Sequence, residues 1–396
     1  RSTLFVIDSV SQNSIHKTPI IEDYNLEEHA ISSILYDRAN DRVYLGSYTK
    51  GVGIVKKTYF NAIRTDVGRN NNVEYALAKL NDSTFITGSG AVIQNDIIIA
   101  SNDFSEISSK FHITVDKNGN VWTKINNRLF LLEDQGNYNF TVINEWRYDE
   151  KTVFSVLQSK NENELWLSTV RVAKDEGTLY KLQIDQPDTP IEIITTDFNI
   201  TALIEIDENN LYIGSKYGLY LLKNYTSQNP TLEKIEDNID VRGFYKDGSN
   251  FWVTTYDKSF LLIQNNRLIS FPADPNNFLI SAHCIVEDKN NFFWIPTNKG
   301  LFKVAKDNLY NYAKNKTKEV YYQYFDKSYG FLNNEFNGGC YPCGITLENE
   351  KIYFPSLSGI VGFLPSETNT KTIKKDIYID EVEIDGKRQF IKDTLE

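Results

Sequence analysis

Residues 292–304 read FFWIPTNKGLFKV, an apolar run, a Pro-Thr-Asn-Lys-Gly corner and a second apolar run. Taken alone, this stretch predicts one β-hairpin. Similar phrases recur as VYLGSYTKGVGIV at 43–55, LYIGSKYGLYLL at 211–222 and FWVTTYDKSFLLI at 251–263. The recurrence indicates that the hairpin is part of a repeated unit, and internal repeats decide the fold before any local pattern does.

The repeated unit consists of an alternating strand, an Asp/Asn/Gly turn, an aromatic-containing strand, a small-polar corner and a third strand. Eight copies begin at Ile31, Val73, Phe111, Val153, Ile200, Val241, Ser281 and Gly344. One aromatic marks the second strand of each copy: Tyr44, Phe85, Trp122, Trp166, Tyr212, Trp252, Trp294 and Tyr353. Their spacings are 41, 37, 44, 46, 40, 42 and 59 residues, and an all-strand unit of about this length is typical of a propeller blade.

These units predict an all-β fold, a single β-propeller of seven or eight four-stranded blades. A twisted meander cannot bury both faces alone, whereas blades stacked around an axis bury them against each other. We expect Trp122, Trp166, Trp252 and Trp294 to be structural wedges between blades. The DKNGN, DENN, DGSN and DKNN turns suit tight hairpin links, because Asp, Asn and Gly tolerate the required backbone angles.

The blade number stays open at this stage. Residues 1–30 resemble third and fourth strands without a first and second. They could close the ring against the final copy, or they could be the tail of an earlier blade. The chain of 396 residues is too short for two complete rings at this period.

Composition excludes some functions. A formal net charge of -11 argues against a nucleic-acid partner, because phosphate contacts need a basic surface. No apolar run approaches the roughly 20 residues of a membrane-spanning helix.

No catalytic, metal or cofactor site is predicted. The four histidines show no metal-ligand or triad spacing, and His112 and His283 are expected to be structural. The acidic residues recur in the inter-strand turns, which favours turn chemistry. Cys340 and Cys343 match C-x-x-C without the strand-to-helix context of a redox motif, so a structural role or a turn disulfide is expected and the disulfide stays open.

The corners are the candidate binding surface. In a propeller, the loops from strand two to strand three and from strand four to the next strand one lie on the same face. The exposed corner side chains predicted to bind ligand are Tyr48, Lys50, Asn126, Arg128, Arg171, Lys216, Tyr217, Tyr256, Lys258, Asn298 and Lys299. Tyrosine rings stack on sugars, and Lys or Arg pair with acidic sugar groups, so this set favours a carbohydrate or related small ligand.

The repeat IVEDKNNFFWIPTNKGLFKV resembles that of the two-component regulator propellers, as do YYQYFDKSYGFLNNEFNGGCY and KIYFPSLSGIVGFLPSE near the end of the chain. The tail IKKDIYIDEVEIDGKRQF resembles the opening strands of the immunoglobulin-like domain that follows the propeller in that family. The resemblance therefore implies a propeller sensor domain over residues 1–367 and the beginning of an immunoglobulin-like domain over 368–396.

The resemblance implies the extracytoplasmic, periplasmic part of a bacterial hybrid two-component or one-component regulator, with an oligosaccharide or other small ligand. It further implies a homodimeric full-length receptor, tethered to the membrane through a downstream segment, with no nucleic-acid contact by this part. The alternatives left open are a propeller polysaccharide lyase or glycosidase and a protein-interaction propeller.

Overall fold

Antiparallel four-stranded sheets occupy most of the chain between residues 60 and 363. The structure is a computed structural model that describes residues 2–12, 14–65, 72–316, 318–368, 381–385 and 387–390. Within these residues, seven four-stranded sheets are formed, which we call blades one to seven. The predicted all-β propeller is confirmed, with seven blades.

The strands of blades one to six lie in chain order in each sheet. Blades one to three comprise Leu77–Lys79, Thr84–Thr87, Ala91–Gln94 and Ile97–Ser101; Ile113–Val115, Val121–Ile125, Arg128–Asp134 and Phe140–Arg147; and Thr152–Gln158, Glu164–Arg171, Glu176–Gln183 and Gln186–Thr196. Blades four to six comprise Ile200–Glu205, Leu211–Ser215, Gly218–Lys223 and Thr231–Asp237; Val241–Asp247, Asn250–Thr255, Phe260–Gln264 and Arg267–Ser270; and Val286–Glu287, Phe292–Thr297, Gly300–Ala305 and Tyr322–Phe325.

Blade seven combines both ends of the ring. Its first three strands are Ile345–Thr346, Ile352–Ser356 and Gly359–Phe363, and its outer strand is Phe60–Ile63. The outer strand pairs antiparallel with the third strand, from Ile360 opposite Ile63 to Phe363 opposite Phe60. The ring is therefore closed by residues 60–63, and of the two roles left open for residues 1–30 the closure of the ring is excluded.

Hydrophobic clusters fill the spaces between neighbouring blades. In the described part of the chain there are seven such clusters, each drawn mainly from two consecutive blades. The cluster that joins blade seven to blade one contains Tyr353 and Ile63 from one side and Leu77 and Phe85 from the other. The rings of Phe85 and Tyr353 lie 4.7 Å apart, so the last blade packs against the first.

The first copy of the repeat lies outside the ring. Ile31–Asp37, Arg42–Ser47 and Gly51–Lys56 form a separate three-stranded sheet, and Ser2–Val10 pairs with Ile15–Tyr24 in a two-stranded one. In the three-stranded sheet, apolar side chains are exposed, among them Leu35 at 65% and Val52 at 68%. The repeat pattern thus predicted the strands of this copy correctly, but it did not predict that they lie outside the ring. Among the described residues, no blade covers the faces of this sheet, which leaves its apolar side chains exposed.

Helices are few. The described residues contain one α-helix, Lys306–Lys314, and short 3-10 helices at Val172–Lys174, Phe278–Ile280, Lys327–Tyr329 and Pro365–Thr368. The α-helix is inserted between the third and fourth strands of blade six, and its buried Leu309 joins the cluster between blades five and six. The sequence pattern did not predict it.

The predicted immunoglobulin-like segment lies largely outside the described residues. Residues 369–380, 386 and 391–396 are not among them, while Glu381–Ile384 and Lys387–Phe390 form a two-stranded hairpin. The boundary at residue 367 and the identity of the following domain stay predictions.

The four tryptophans predicted as wedges are fully buried, each in a cluster between two blades. Asp288, six residues before Trp294, shows what a turn aspartate at this spacing contributes. Its carboxylate accepts hydrogen bonds from the backbone N–H groups of Asn290 and Phe292, at 2.8 and 3.1 Å, and from Trp294 Nε1 at 2.8 Å. One side chain therefore fixes the turn and satisfies the buried indole. Asp116 and Trp122 repeat the contact at 2.8 Å.

Replacing Phe60 tests the ring closure. Phe60 is 1% exposed, and its ring lies 4.8 Å from that of Phe363 and 5.3 Å from that of Phe325. We expect Phe60→Ala to lower the free energy of unfolding by about 3–5 kcal/mol, because it leaves a cavity at this junction. Denaturant unfolding of this variant and of Phe5→Ala, whose side chain is 40% exposed, measures the difference. Equal losses in the two variants would contradict the closure.

Asp288→Ala tests the double role of the turn aspartate. The variant leaves the buried Trp294 N–H without an acceptor, and we expect a loss of about 2–3 kcal/mol in unfolding free energy. Asp207→Ala is the matched control, since the exposed Asp207 accepts from the turn N–H of Asn209 while blade four has Tyr212 at the tryptophan position. The control should lose less than about 1 kcal/mol. Denaturation midpoints that shift equally would show that the indole contact adds nothing.

Candidate functional site

The corners and the connections between blades meet on one face of the ring, which we call the corner face. In blade five, the N–H of Tyr256 donates to the carbonyl of Asp240 at 2.9 Å. In blade four, Asn238 donates to the carbonyl of Tyr217 at 3.0 Å. Each bond joins a second-to-third-strand corner to the connection that leads into the next strand one, so both loop types form the same surface.

Arg242 lies at the centre of a polar cluster on this face. It is the second residue of the inner strand of blade five, and its Nη2 donates to Asp240 Oδ2 at 3.1 Å. Its guanidinium lies 4.6 Å from the ring centroid of Tyr256, a cation–π contact. The Nε atom is buried and has no hydrogen-bond partner among the described residues. The guanidinium is thus held in place while its Nε–H remains available to donate a hydrogen bond.

An open pocket of about 420 Å³ adjoins this cluster, lined by Phe154, Asn199, Lys216, Tyr217, Asp240 and Arg242, among others. Tyr217 is half exposed, and its hydroxyl donates to Asp175 Oδ2 of the neighbouring blade at 2.9 Å. The Oδ1 atom of Asn199 is buried and has no partner within the part of the chain that the structure describes. The pocket therefore presents an aromatic face, donors and an unused acceptor.

A second, deeper cavity of about 230 Å³ lies along the axis of the ring. Its lining includes His112, Thr201, Arg242 and His283 from the inner strands. Thr201 and Arg242 line both the pocket and the cavity, so the two spaces adjoin. The pocket opens on the corner face, and the cavity extends it toward the axis.

Burial decides the charge state around the axis. It lowers the pKa of His283 to about 4 and that of His112 well below the usual histidine range. It also lowers the pKa of Lys124 to about 8 and raises that of Asp240. The two histidines are therefore neutral at pH 7, and a neutral imidazole is both a hydrogen-bond donor and an acceptor.

Residues 337–343, which we call the axial segment, form one side of the cavity. The N–H of Tyr341 donates to the carbonyl of Phe111 at 2.8 Å, and Ile113 donates back to the carbonyl of Tyr341 at 3.2 Å. Two glycines permit the close approach. A Cβ at Gly338 would lie 2.1 Å from His283 Nδ1, and Gly339 has a φ of +66°.

The structure brings four of the predicted ligand residues to this region. Lys216 and Tyr217 line the pocket, and Tyr256 stacks against Arg242. Asn298 reaches His283 through a side-chain hydrogen bond at the axial cavity. Their role in binding stays a prediction, but their proximity is a property of the fold.

The other predicted residues lie apart from the pocket. Tyr48 and Lys50 belong to the three-stranded sheet outside the ring, where Lys50 Nζ contacts His29 Nδ1 at 3.3 Å. The remaining ones are on the corner face of the ring but do not line the pocket: Asn126, Arg128, Arg171, Lys258 and Lys299.

Two of these residues are engaged elsewhere in the ring. Arg128 donates to the carbonyl of Glu106 at 3.1 Å, and Arg171 pairs with Glu176 at 2.8 Å. Each guanidinium therefore already donates to an acceptor of the ring.

Arg242 and Asn199 were not predicted from sequence, although a signal for Arg242 exists. The residue after the first apolar residue of an inner strand differs from blade to blade, as in F-H-I-T, V-F-S-V, I-T-A-L and V-R-G-F. In the structure, the side chains at this position face the axis or the pocket: His112, Phe154, Thr201 and Arg242. A position that varies within an otherwise uniform repeat thus indicates which side chains line the pocket and the cavity.

In the described ranges, no group of three or more His, Cys, Asp or Glu side chains is placed to hold a metal ion. The helices found there are all too short or too polar to cross a bilayer.

Solved structures similar to this chain share its propeller architecture. One is the extracellular domain of a protein described as a hybrid two-component system of B. thetaiotaomicron, with a TM-score of 0.59 at 17% identity over 85% of this chain and 45% of that one. The fold is a β-propeller. The extracellular domain of a one-component system of the same organism has a TM-score of 0.55 at 16% identity, over 91% of this chain and 49% of that one.

An enzyme is also among the similar structures. A streptogramin B lyase matches with a TM-score of 0.55 at 13% identity, over 77% of this chain and 96% of that one. No protein-family model and no curated protein matches the sequence. The chain spans about half the length of these two extracellular domains. Both domains come from regulators of the kind that the sequence resembles.

The buried histidines predict a pH dependence of stability. The unfolded chain protonates His283 below about pH 6.5, whereas the folded chain resists protonation down to about pH 4. The unfolded state therefore binds more protons in this window, and stability falls as the pH is lowered through it, by up to roughly 3 kcal/mol for this residue. Urea unfolding at pH 7.5, 5.5 and 4.5 should show a smaller loss in His283→Gln than in the wild type.

The control for this measurement is His16→Gln, whose side chain is exposed on the strand Ile15–Tyr24. It should keep the wild-type dependence on pH. An unchanged dependence in His283→Gln would contradict the assignment.

Proposed function

We propose that this chain is the extracytoplasmic ligand-sensing domain of a bacterial two-component-type regulator. The observation that carries the proposal is the pocket at Arg242, where unused donors and an unused acceptor meet exposed tyrosine rings on the corner face. The likeness in fold to extracellular domains of such regulators supports it. The ligand we propose is an oligosaccharide or a related small molecule, and the domain itself performs no catalysis.

The chemistry of the pocket suits a sugar. Tyr217 lines the pocket and is 50% exposed, so its ring is available for stacking against the C–H face of a pyranose. Tyr256, 48% exposed, lies beside the pocket with Arg242 against its ring. Arg242 supplies donors and Asn199 an acceptor, and a hydroxyl group both donates and accepts.

The charges in the pocket are mixed. Two cations, Lys216 and Arg242, are accompanied by Asp175 and Asp240. A balanced set of this kind favours a neutral or weakly acidic ligand over a highly charged one. A pocket of about 420 Å³ continuing into a cavity of about 230 Å³ has room for a short oligosaccharide.

Signal output is the remaining part of the proposal. Ligand binding on the corner face would alter the geometry of a receptor homodimer through the immunoglobulin-like segment after residue 367. In this proposal the domain is periplasmic, is tethered to the membrane by a downstream segment and makes no contact with nucleic acid. The net charge of -11 is consistent with the last point.

Calorimetric titration of the purified chain with a panel of neutral and acidic oligosaccharides tests the proposal. We expect one class to bind, and Arg242→Ala to weaken that binding by about 10-fold to 100-fold, because it removes charge-assisted hydrogen bonds and the support of Tyr256. Arg267→Ala is the matched control, since Arg267 is exposed on the outer strand of the same blade. It should bind like the wild type, and circular dichroism confirms that both variants are folded.

Three results would count against the proposal. They are no heat with any member of the panel, an equal effect of the two substitutions, and release of product from a bound oligosaccharide on thin-layer chromatography. The last would favour the lyase or glycosidase alternative.

A further inference from the structure

The three cysteines of the chain meet beside the ring axis. Cys284 precedes the inner strand of blade six, while Cys340 and Cys343 belong to the axial segment, and all three line the axial cavity. The thiols of Cys340 and Cys343 both donate to the carbonyl of Asn337, at 3.8 and 3.7 Å, and the Cys343 thiol also lies beside that of Cys284. Cys284 and Cys343, more than 50 positions apart in sequence, thus lie side by side in the fold. All three thiols are free in this structure.

Accessibility distinguishes the three thiols. Cys340 and Cys343 are 6% and 7% exposed, whereas Cys284 is partly exposed. We therefore expect an external reagent that enters the cavity to react first at Cys284, the least buried of the three residues. The thiol in contact with Cys284 is that of Cys343, which makes Cys343 its natural partner in a second step.

The axial segment is anchored by hydrogen bonds mainly to blades one, two and seven. Asn337 Nδ2 donates to the carbonyl of Glu74 at 2.5 Å, and the N–H of Leu77 donates to the carbonyl of Pro342 at 3.1 Å. At the Cys343 end of the segment, the contact with blade six is between the thiols of Cys343 and Cys284. A covalent bond there would fasten the segment to the blade that its hydrogen bonds do not hold at that end.

We propose that Cys284 and Cys343 form a redox-active dithiol site, whose disulfide locks the axial segment to blade six. The oxidant is an external disulfide, either a small molecule or an oxidised dithiol protein. The site is independent of the ligand proposed above, so the failure of one proposal leaves the other standing.

The exchange runs in two steps. Cys284 loses its proton, and its thiolate attacks the external disulfide, which forms a mixed disulfide and releases one external thiolate. Cys343 then loses its proton and attacks the sulfur of Cys284, which releases the second external thiolate. The two protons lost by the protein are taken up by the two released thiolates. Two electrons pass from the protein to the external disulfide.

Burial sets the rate of this exchange. It raises the pKa of all three thiols, most strongly at Cys340 and Cys343, so the reactive thiolate is scarce at neutral pH. The exchange should therefore be slow and should accelerate as the pH rises. A slow, shielded pair responds to a sustained change in redox conditions more than to a brief one.

Mapping the linkage tests the proposal on the unmodified chain. Reduced protein is incubated with oxidised glutathione, quenched with N-ethylmaleimide and digested without reductant for mass spectrometry. We expect the peptide containing Cys284 to be linked to Cys343, with Cys340 alkylated. A link between Cys340 and Cys343, or three alkylated thiols after prolonged incubation at pH 8.5, would overturn the proposal.

Variants separate the roles of the three thiols. Cys340→Ser should keep the linkage, whereas Cys343→Ala should stop at a glutathione adduct on Cys284. Oxidation should raise the melting temperature by about 2–5 °C in the wild type and in Cys340→Ser, and leave that of Cys284→Ser unchanged. A glutathione adduct that forms first on Cys340 in Cys343→Ala would contradict the assigned order, whatever the stability of the variants.

Discussion

Every blade of this protein has two apolar faces, and burying both is the constraint on which the rest of the structure depends. A blade with neighbours on both sides, such as blade five, buries Phe251, Trp252, Phe260 and Leu262 almost completely. The three-stranded sheet at residues 31–56 has the same strand pattern and leaves Leu35 and Val52 largely in solvent. The ring removes this exposure only because its last blade packs against its first, and that contact requires the strand Phe60–Ile63.

The repeat could be predicted from the sequence because contacts between residues close in sequence stabilise it. Trp294 and Asp288 are six residues apart, and the contact between them acts within one hairpin. The same spacing and contact recur at Asp116 and Trp122. The closing strand was not readable, since Phe60 pairs with Phe363 across about 300 residues and nothing near residue 60 marks a partner so distant. The axial position of Arg242 likewise depends on the whole ring, and the corner residues Lys216, Tyr217 and Tyr256 were found only because corners always share a face.

The two proposed sites use different properties of the same axis. The pocket around Arg242 lies at the corner face, where side chains from blades three, four and five meet solvent. The thiols lie deeper, where the axial segment faces blade six, in surroundings that suppress ionisation. Arg242 approaches the axial segment at Gly339, where an added Cβ would lie 3.0 Å from its Nη1 atom. The two proposed sites thus differ in chemistry, but both adjoin the axial segment.

Blade seven is also where the chain enters and leaves the ring. The strand Phe60–Ile63 follows directly from the sheet that ends at Lys56, and it is hydrogen-bonded to the strand that ends at Phe363. Mechanical load applied to the ring through its flanking sequences, from either direction, therefore falls on this one pair of strands. Because Phe60 lies opposite Phe363, both points of load are at the same end of this antiparallel pair, and its hydrogen bonds would open one after another from that end. Resistance to such opening therefore depends on the packing of Phe60 against Phe363 and Phe325 more than on the hydrogen bonds of the pair.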